Sequence, residues 1–135
     1  MKYFLAKTDP STYSIDNLQE EGITTWDGVR NPQAVIFLKQ MKKGDKVFIY
    51  HSQGEGAIVG MAEVLGNSRP DPKNEESWLV DFKFIKKFPD PKVTIKDIKS
   101  VGKFSNFRLV TQSRLSTMDV PENVVEWLKL GGLKI

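Results

Sequence analysis

Lys46-Val47-Phe48-Ile49-Tyr50-His51-Ser52 is followed by Gln53-Gly54-Glu55-Gly56 and then by Ala57-Ile58-Val59-Gly60-Met61-Ala62-Glu63-Val64-Leu65. Two apolar runs rich in β-branched and aromatic residues flank a short connection with two glycines, a pattern that predicts a β-hairpin. Downstream, Trp78, Val80, Phe82 and Phe84 alternate with Leu79, Asp81, Lys83 and Ile85, the period of a half-buried strand. Upstream, Lys2 to Lys7 reads as the strand that opens the chain. Helix signals surround these strands. Ser14 precedes Ile15 and Leu18, with Gly22 behind them, which is an N-capped helix with a glycine stop. Asn31-Pro32 starts a second helix, with proline where its missing N–H costs nothing. Val35, Leu38 and Met41 give that helix its apolar face and Gly44 its end. Thr94 with Asp97 resembles a capping box for a brief helix carrying Ile95, Ile98 and Val101. Asn67 to Ser77, with two prolines, reads as a loop. Arg114 to Met118 reads as a final strand, and Pro121 to Leu130 as a closing helix stopped by Gly131-Gly132. The sum is an α+β fold, a curved mixed sheet or pseudo-barrel surrounded by short helices.

A chain of 135 residues, 39% hydrophobic and 27% charged, fits one globular domain over 1–135. Its longest apolar stretches, such as Ala57 to Ala62, are too short to cross a bilayer. The opening Tyr3-Phe4-Leu5-Ala6 is too short for the core of a secretion signal. The expectation is no membrane partner and a cytoplasmic protein, or a nuclear one in a eukaryote. With no cysteine, disulfides, thiolate metal sites and cysteine nucleophiles are excluded. A net charge of +3 and a pI near 9.1 permit a polyanionic partner without demanding one. The lysines are scattered and read as solvated faces.

Catalytic signals are few. The single histidine, His51, shares a strand face with Val47 and Ile49, and the residues favour a structural histidine hydrogen-bonded at the sheet edge. No nucleophile elbow, phosphate-cradling loop or dinucleotide fingerprint is present. No carboxylate cluster shows metal-ligand spacing. The expectation is a non-enzyme with no catalytic residue, metal or cofactor.

Trp26-Asp27-Gly28-Val29-Arg30-Asn31 is the segment with binding chemistry. The indole is a flat stacking surface, Gly28 lets backbone approach a ligand, and the following helix start presents unpaired N–H groups. Arg30 adds a charge that pairs with phosphate. Spacing alone favours a core tryptophan followed by an ordinary cap.

The chain resembles the EVE-domain family, members of the PUA-like superfold related to the YTH readers of methylated adenine. The resemblance is carried by Lys2 to Pro10, Tyr13 to Leu18, Trp26 to Asn31, Met41 to Asp45, Tyr50-His51-Ser52, Ile58-Val59-Gly60 with Ala62-Glu63-Val64, Pro70-Asp71-Pro72, Val80 to Phe84 and Arg114-Leu115-Ser116. These stretches cover essentially the whole chain. The resemblance implies a pocket for a modified base at the mouth of the sheet, formed by Lys7, Thr8, Ser14, Trp26, Gly28, Arg30, Asn31, Tyr50, His51, Ser52, Arg114, Leu115 and Ser116. In that arrangement Trp26 stacks on the base, Thr8, Ser14, Asn31 and Ser52 meet its edge, and Lys7, Arg30 and Arg114 meet flanking phosphates. The expected partner is DNA or RNA, single-stranded or with the base flipped, bearing a modified cytosine or adenine. Three positions depart from the family pattern: Phe4 for tryptophan, Asp9 for glutamate and Pro32 for tyrosine. If the family's tryptophan is a cage wall, Phe4 offers a smaller one. The alternative function is a small-molecule or modified-nucleoside binder or enzyme using the same pocket. It differs in needing no positive track leading away from Trp26.

Overall fold

A computed structural model describes residues 1–54, 56–131 and 133. The chain runs β1 (Tyr3–Thr8), α1 (Ile15–Glu21), β2 (Ile23–Trp26), α2 (Pro32–Gln40), β3 (Lys46–His51) and β4 (Ala57–Val64). It continues with β5 (Arg69–Asp71), β6 (Asn74–Lys87), β7 (Val93–Thr94), α3 (Ile95–Val101), α4 (Arg108–Thr111), β8 (Thr117–Asp119) and α5 (Glu122–Leu130). The sheet order is β2-β6-β4-β3-β1-β8, with β5 added on β6 and β7 on β4. Among the described residues only β1 and β3 pair in parallel, Phe4 against Val47 and Thr8 against His51. Register shifts at Ile49/Tyr50, Met61/Ala62 and Pro70/Asp71 mark bulges, which bend strands and sharpen the twist.

The expected hairpin is the centre of this sheet. β3 and β4 are buried almost continuously, because both of their faces are covered, whereas β6 alternates. Phe4, Phe48, Phe82 and Phe107 are the largest fully buried side chains. Phe4 is 0% exposed and so forms no cage wall. Four residues at about 3.3 Å each place it roughly 13 Å along β1 from Thr8.

The expected capping box at Thr94 forms, and the expected Ser14 N-cap is a capping box as well. Ser14 Oγ accepts from the Asn17 N–H while Asn17 Oδ1 accepts from the Ser14 N–H, and Thr94 and Asp97 do the same. Pro32 sits at the first position of α2 behind its cap, Asn31.

Other expectations are corrected. α2 ends at Gln40 with Met41 extended, so Gly44 belongs to the next turn. Asn67 to Ser77 holds a hairpin, β5 to β6, turning at Pro72-Lys73 with Asp71 Oδ1 accepting from the Lys73 N–H at 2.8 Å. Its prolines are tolerated because β5 is an edge strand. The final strand begins only at Thr117, since residues up to Leu115 are held in a turn by Leu115 N–H donating to the Gln112 carbonyl. Gly131 caps α5, while Gly132 lies outside the described residues. β2 and α4 have no counterpart in the sequence reading. Among the described residues no helix is long and apolar enough to cross a membrane.

Candidate functional site

β2 lies at one edge of the sheet order, and Ser116 directly precedes β8 at the other. Residues from both edges nevertheless line one cavity of about 520 Å³, so the sheet curls until its ends face each other. Thr24, Thr25, Trp26, Asp27, Gly28, Val29 and Arg30 form one wall. Lys7, Thr8 and Asp9 from the end of β1, Thr12 and Tyr13 from the turn before α1, and Ser116 complete it.

Trp26 combines the two readings its spacing allows. Its ring packs on Phe82 with centroids 5.2 Å apart and meets Tyr13 edge-on at 6.0 Å, yet it is only half-buried and lines the cavity. The strand behind it is pinned by the Thr25 hydroxyl, which donates to Asp81 Oδ1 at 2.8 Å. That bond, ahead of the Arg69 guanidinium, holds the Asp81 carboxyl below its ordinary range. Beyond Trp26 the chain turns at Gly28, whose φ of +73° suits glycine. The Ser77 hydroxyl, 1% exposed, then donates to the Val29 carbonyl at 2.6 Å and fixes the turn from behind.

A second cavity of about 400 Å³ shares Lys7, Thr8, Asp9 and Ser116 with the first. Its other walls include Tyr50, Ser52, Gln53, Ile95, Lys99, Leu109, Ser113 and Arg114. Lys7 Nζ donates to the Ser113 carbonyl at 2.7 Å and lies 5.8 Å from the centre of the Tyr50 ring. Burial lowers the Lys7 pKa and raises that of the Tyr50 phenol. Among the described residues, three cations, Lys7, Lys99 and Arg114, thus line this cavity against one carboxylate, Asp9.

The structure groups most of the expected site residues. Lys7, Thr8, Trp26, Gly28, Arg30 and Ser116 line the first cavity, while Tyr50, Ser52 and Arg114 line the second. Asn31, Arg114 and the nearly buried Leu115 border a shallower cavity of about 360 Å³. Ser14 and His51 line none of these. The Ser14 hydroxyl is engaged by Asn17 in the α1 cap, and Asn31 Oδ1 accepts from the Gln33 and Ala34 N–H groups at 2.9 and 3.2 Å. His51 Nε2 accepts from the Ile15 N–H at 3.0 Å, the structural role its strand position favours. This bond needs the neutral ring.

Sequence reasoning assigned no role to Asp9, Thr12, Tyr13, Thr24, Thr25 or Asp27. Ile23-Thr24-Thr25-Trp26 carries a usable signal, four consecutive β-favouring residues. Asp9 to Tyr13 carries none beyond its turn composition. Among the described residues no three of His, Asp and Glu are grouped to hold a metal.

The EVE domain model matches residues 2–129. Mouse thymocyte nuclear protein 1 is 32% identical over 117 residues, covering 78% of this chain and 52% of the relative. The chain therefore spans about half the length of the curated relatives it matches. An Agrobacterium tumefaciens protein of known crystal structure is 35% identical, with a TM-score of 0.89 over 98% of this chain and 94% of that one. The crystal structure of the human THYN1 protein in complex with DNA containing 5-methylcytosine aligns over 100% of this chain and 99% of that one. Its TM-score is 0.88 at 24% identity, a likeness of fold.

Proposed function

We propose, from the premise that this chain belongs to the EVE-domain family, that it binds DNA carrying a modified cytosine and holds the flipped-out base against Trp26. One observation carries this reading: the cavity walled by Trp26 adjoins a cavity lined by Lys7, Lys99 and Arg114. A base needs a stacking face, and the strand on either side of it needs positive charge along its phosphates. A free nucleoside needs only the first, so the neighbouring cations favour a nucleic acid over the nucleoside alternative. The human protein solved with 5-methylcytosine DNA, which shares this fold, supports cytosine as the base. Burying the added methyl group contributes about 0.8 kcal/mol, so most of the discrimination comes from shape and hydrogen bonding. The protein binds without converting its ligand.

The test is a titration by fluorescence anisotropy of oligonucleotides with and without 5-methylcytosine. Stacking on an aromatic ring contributes about 1–3 kcal/mol per base, so Trp26→Ala weakens binding at least about five-fold. Arg114→Gln weakens modified and unmodified DNA alike and flattens the salt dependence, because phosphate contacts carry no base identity. Unchanged affinity in a folded Trp26→Ala protein refutes the assignment of the cavity.

A further inference from the structure

We propose that Asp27 selects an amino-bearing base, cytosine or its 5-methyl derivative, over thymine. This rests on the base-binding reading above and adds the contact that reads the base edge. Most polar groups around Trp26 are already engaged within the chain. The Thr8 hydroxyl donates to the Tyr13 carbonyl at 2.7 Å, and the Thr25 hydroxyl to Asp81 at 2.8 Å. The Tyr13 hydroxyl donates to Glu21 and is also hydrogen-bonded by Thr24. One Asp9 oxygen accepts from both the N–H and the hydroxyl of Ser11, at 2.9 and 2.7 Å, which ties that carboxylate into its own turn. Among the described residues, Asp27 is the one carboxylate of the cavity that no hydrogen bond or ion pair engages, and it follows directly after the stacking tryptophan; the Arg30 guanidinium in the same wall is likewise unengaged.

An ionised carboxylate accepts hydrogen bonds and donates none. Cytosine and 5-methylcytosine present an amino donor at C4, whereas thymine, with the same ring and methyl group, presents a carbonyl oxygen there. A carboxylate at this edge pairs with the first two and opposes thymine acceptor to acceptor, leaving both oxygens unpaired where water is partly excluded. Arg30, across the Gly28 turn in the same wall, only donates. It complements the ring N3 and O2 acceptors of cytosine, where thymine carries a donor at N3.

The experiment measures affinity for oligonucleotides differing only in 5-methylcytosine or thymine at one position, with the parent chain, Asp27→Asn and Asp9→Asn. The parent binds 5-methylcytosine about ten-fold or more tightly than thymine. In Asp27→Asn the amide offers either a donor or an acceptor, and the two affinities converge to within about two-fold. Asp27 is exposed, so the variant keeps the parent's thermal midpoint. A parent that does not discriminate, an unchanged ratio in Asp27→Asn, or a ratio lost only in Asp9→Asn overturns the assignment to Asp27 and leaves the base-binding reading standing. A parent that binds no 5-methylcytosine DNA even at low salt overturns that reading and this inference together.

Discussion

Gly60 is where α1 meets the sheet, and replacing it with alanine tests how tightly the two are joined. A Cβ at this position would lie 2.4 Å from Ile15 Cδ1, 2.7 Å from Ile15 Cγ1 and 2.8 Å from the Lys86 carbonyl oxygen. Ile15 is 2% exposed and has little room to turn away, and the Lys86 oxygen belongs to the backbone of β6. Overpacking of this kind costs about 1–3 kcal/mol, and two obstructions place Gly60→Ala near 3 kcal/mol. Gly28→Ala is the contrast. Its Cβ would meet nothing within 4 Å, so only its φ of +73° opposes the change, worth about 1 kcal/mol. Urea unfolding followed by tryptophan fluorescence orders the two variants. In a double-mutant cycle, Ile15→Ala removes the nearest obstruction, so Gly60→Ala costs less in that background. The Lys86 oxygen keeps the relief partial. A Gly60→Ala protein within about 0.5 kcal/mol of the parent, or an additive cycle, refutes the reasoning. Because Ile15 also donates its N–H to His51 and follows the Tyr13-Ser14 turn, the same variant is expected to shift Tyr13 in the cavity wall and, on the proposed function, to weaken binding of 5-methylcytosine DNA.

Ser77→Ala strands the buried Val29 carbonyl at a cost of about 1–2 kcal/mol, lowering the thermal midpoint by roughly 4 °C per kcal/mol in a domain of this size. A melting curve superimposable on the parent's would contradict this. Burial raises the phenol pKa values of Tyr13 and Tyr50 above their ordinary value of 10.0. Between that value and the raised ones the folded chain holds protons that the unfolded chain has released, so the contribution of these two phenols is intact below pH 10 and is lost as pH rises through that window. Up to pH 10.5 that loss is opposed by Lys7, whose lowered pKa makes the folded chain release its proton first. Phenolate absorbance during an alkaline titration, paired with urea midpoints on either side of pH 10, checks both halves of the statement.

What was legible in the sequence was short-range. Ser14 with Asn17 and Thr94 with Asp97 place both partners within one turn, and the β3–β4 hairpin is written in adjacent residues. β2 escaped because this edge strand turns Ile23 and Thr25 to the exposed face and Thr24 and Trp26 to the other, so each face mixes an apolar and a polar residue and no apolar alternation shows. The β5–β6 hairpin escaped because Pro70, a breaker in a central strand, is harmless in an edge one, and Pro72 falls in the turn itself. The resemblance names Trp26, Arg30, Lys7 and Ser116, and all four line the first cavity. Ser14 and Asn31 were offered as groups for the base edge, but the same oxygens cap helices, and a neighbouring N–H is present whether or not a ligand is. Tyr13 and Asp9 reach the cavity through a turn, held by the Thr12 and Tyr13 N–H groups on the Asp9 carbonyl, whose direction no residue pattern encodes.

A stacking wall on a four-residue edge strand would be loose if it stood alone, since such strands open readily. Here it is anchored from behind at three levels. The Trp26 ring rests on Phe82 and Tyr13, Thr25 is bonded to Asp81, which also holds Arg69 at 3.3 Å, and Val29 is bonded to Ser77. The indole is therefore held in place without a ligand, and a base bound as proposed avoids the cost of about 0.5–1.5 kcal/mol of ordering a large side chain. The anchors leave Asp27 and Arg30 in front with no partner in the chain among the described residues. Groups that already hold internal bonds exchange them for ligand bonds with little net gain, whereas unengaged ones gain most from a matching edge and lose most from a mismatched one. On the proposed function, affinity for any stacked base is thus set behind the wall, and the choice among bases in front of it.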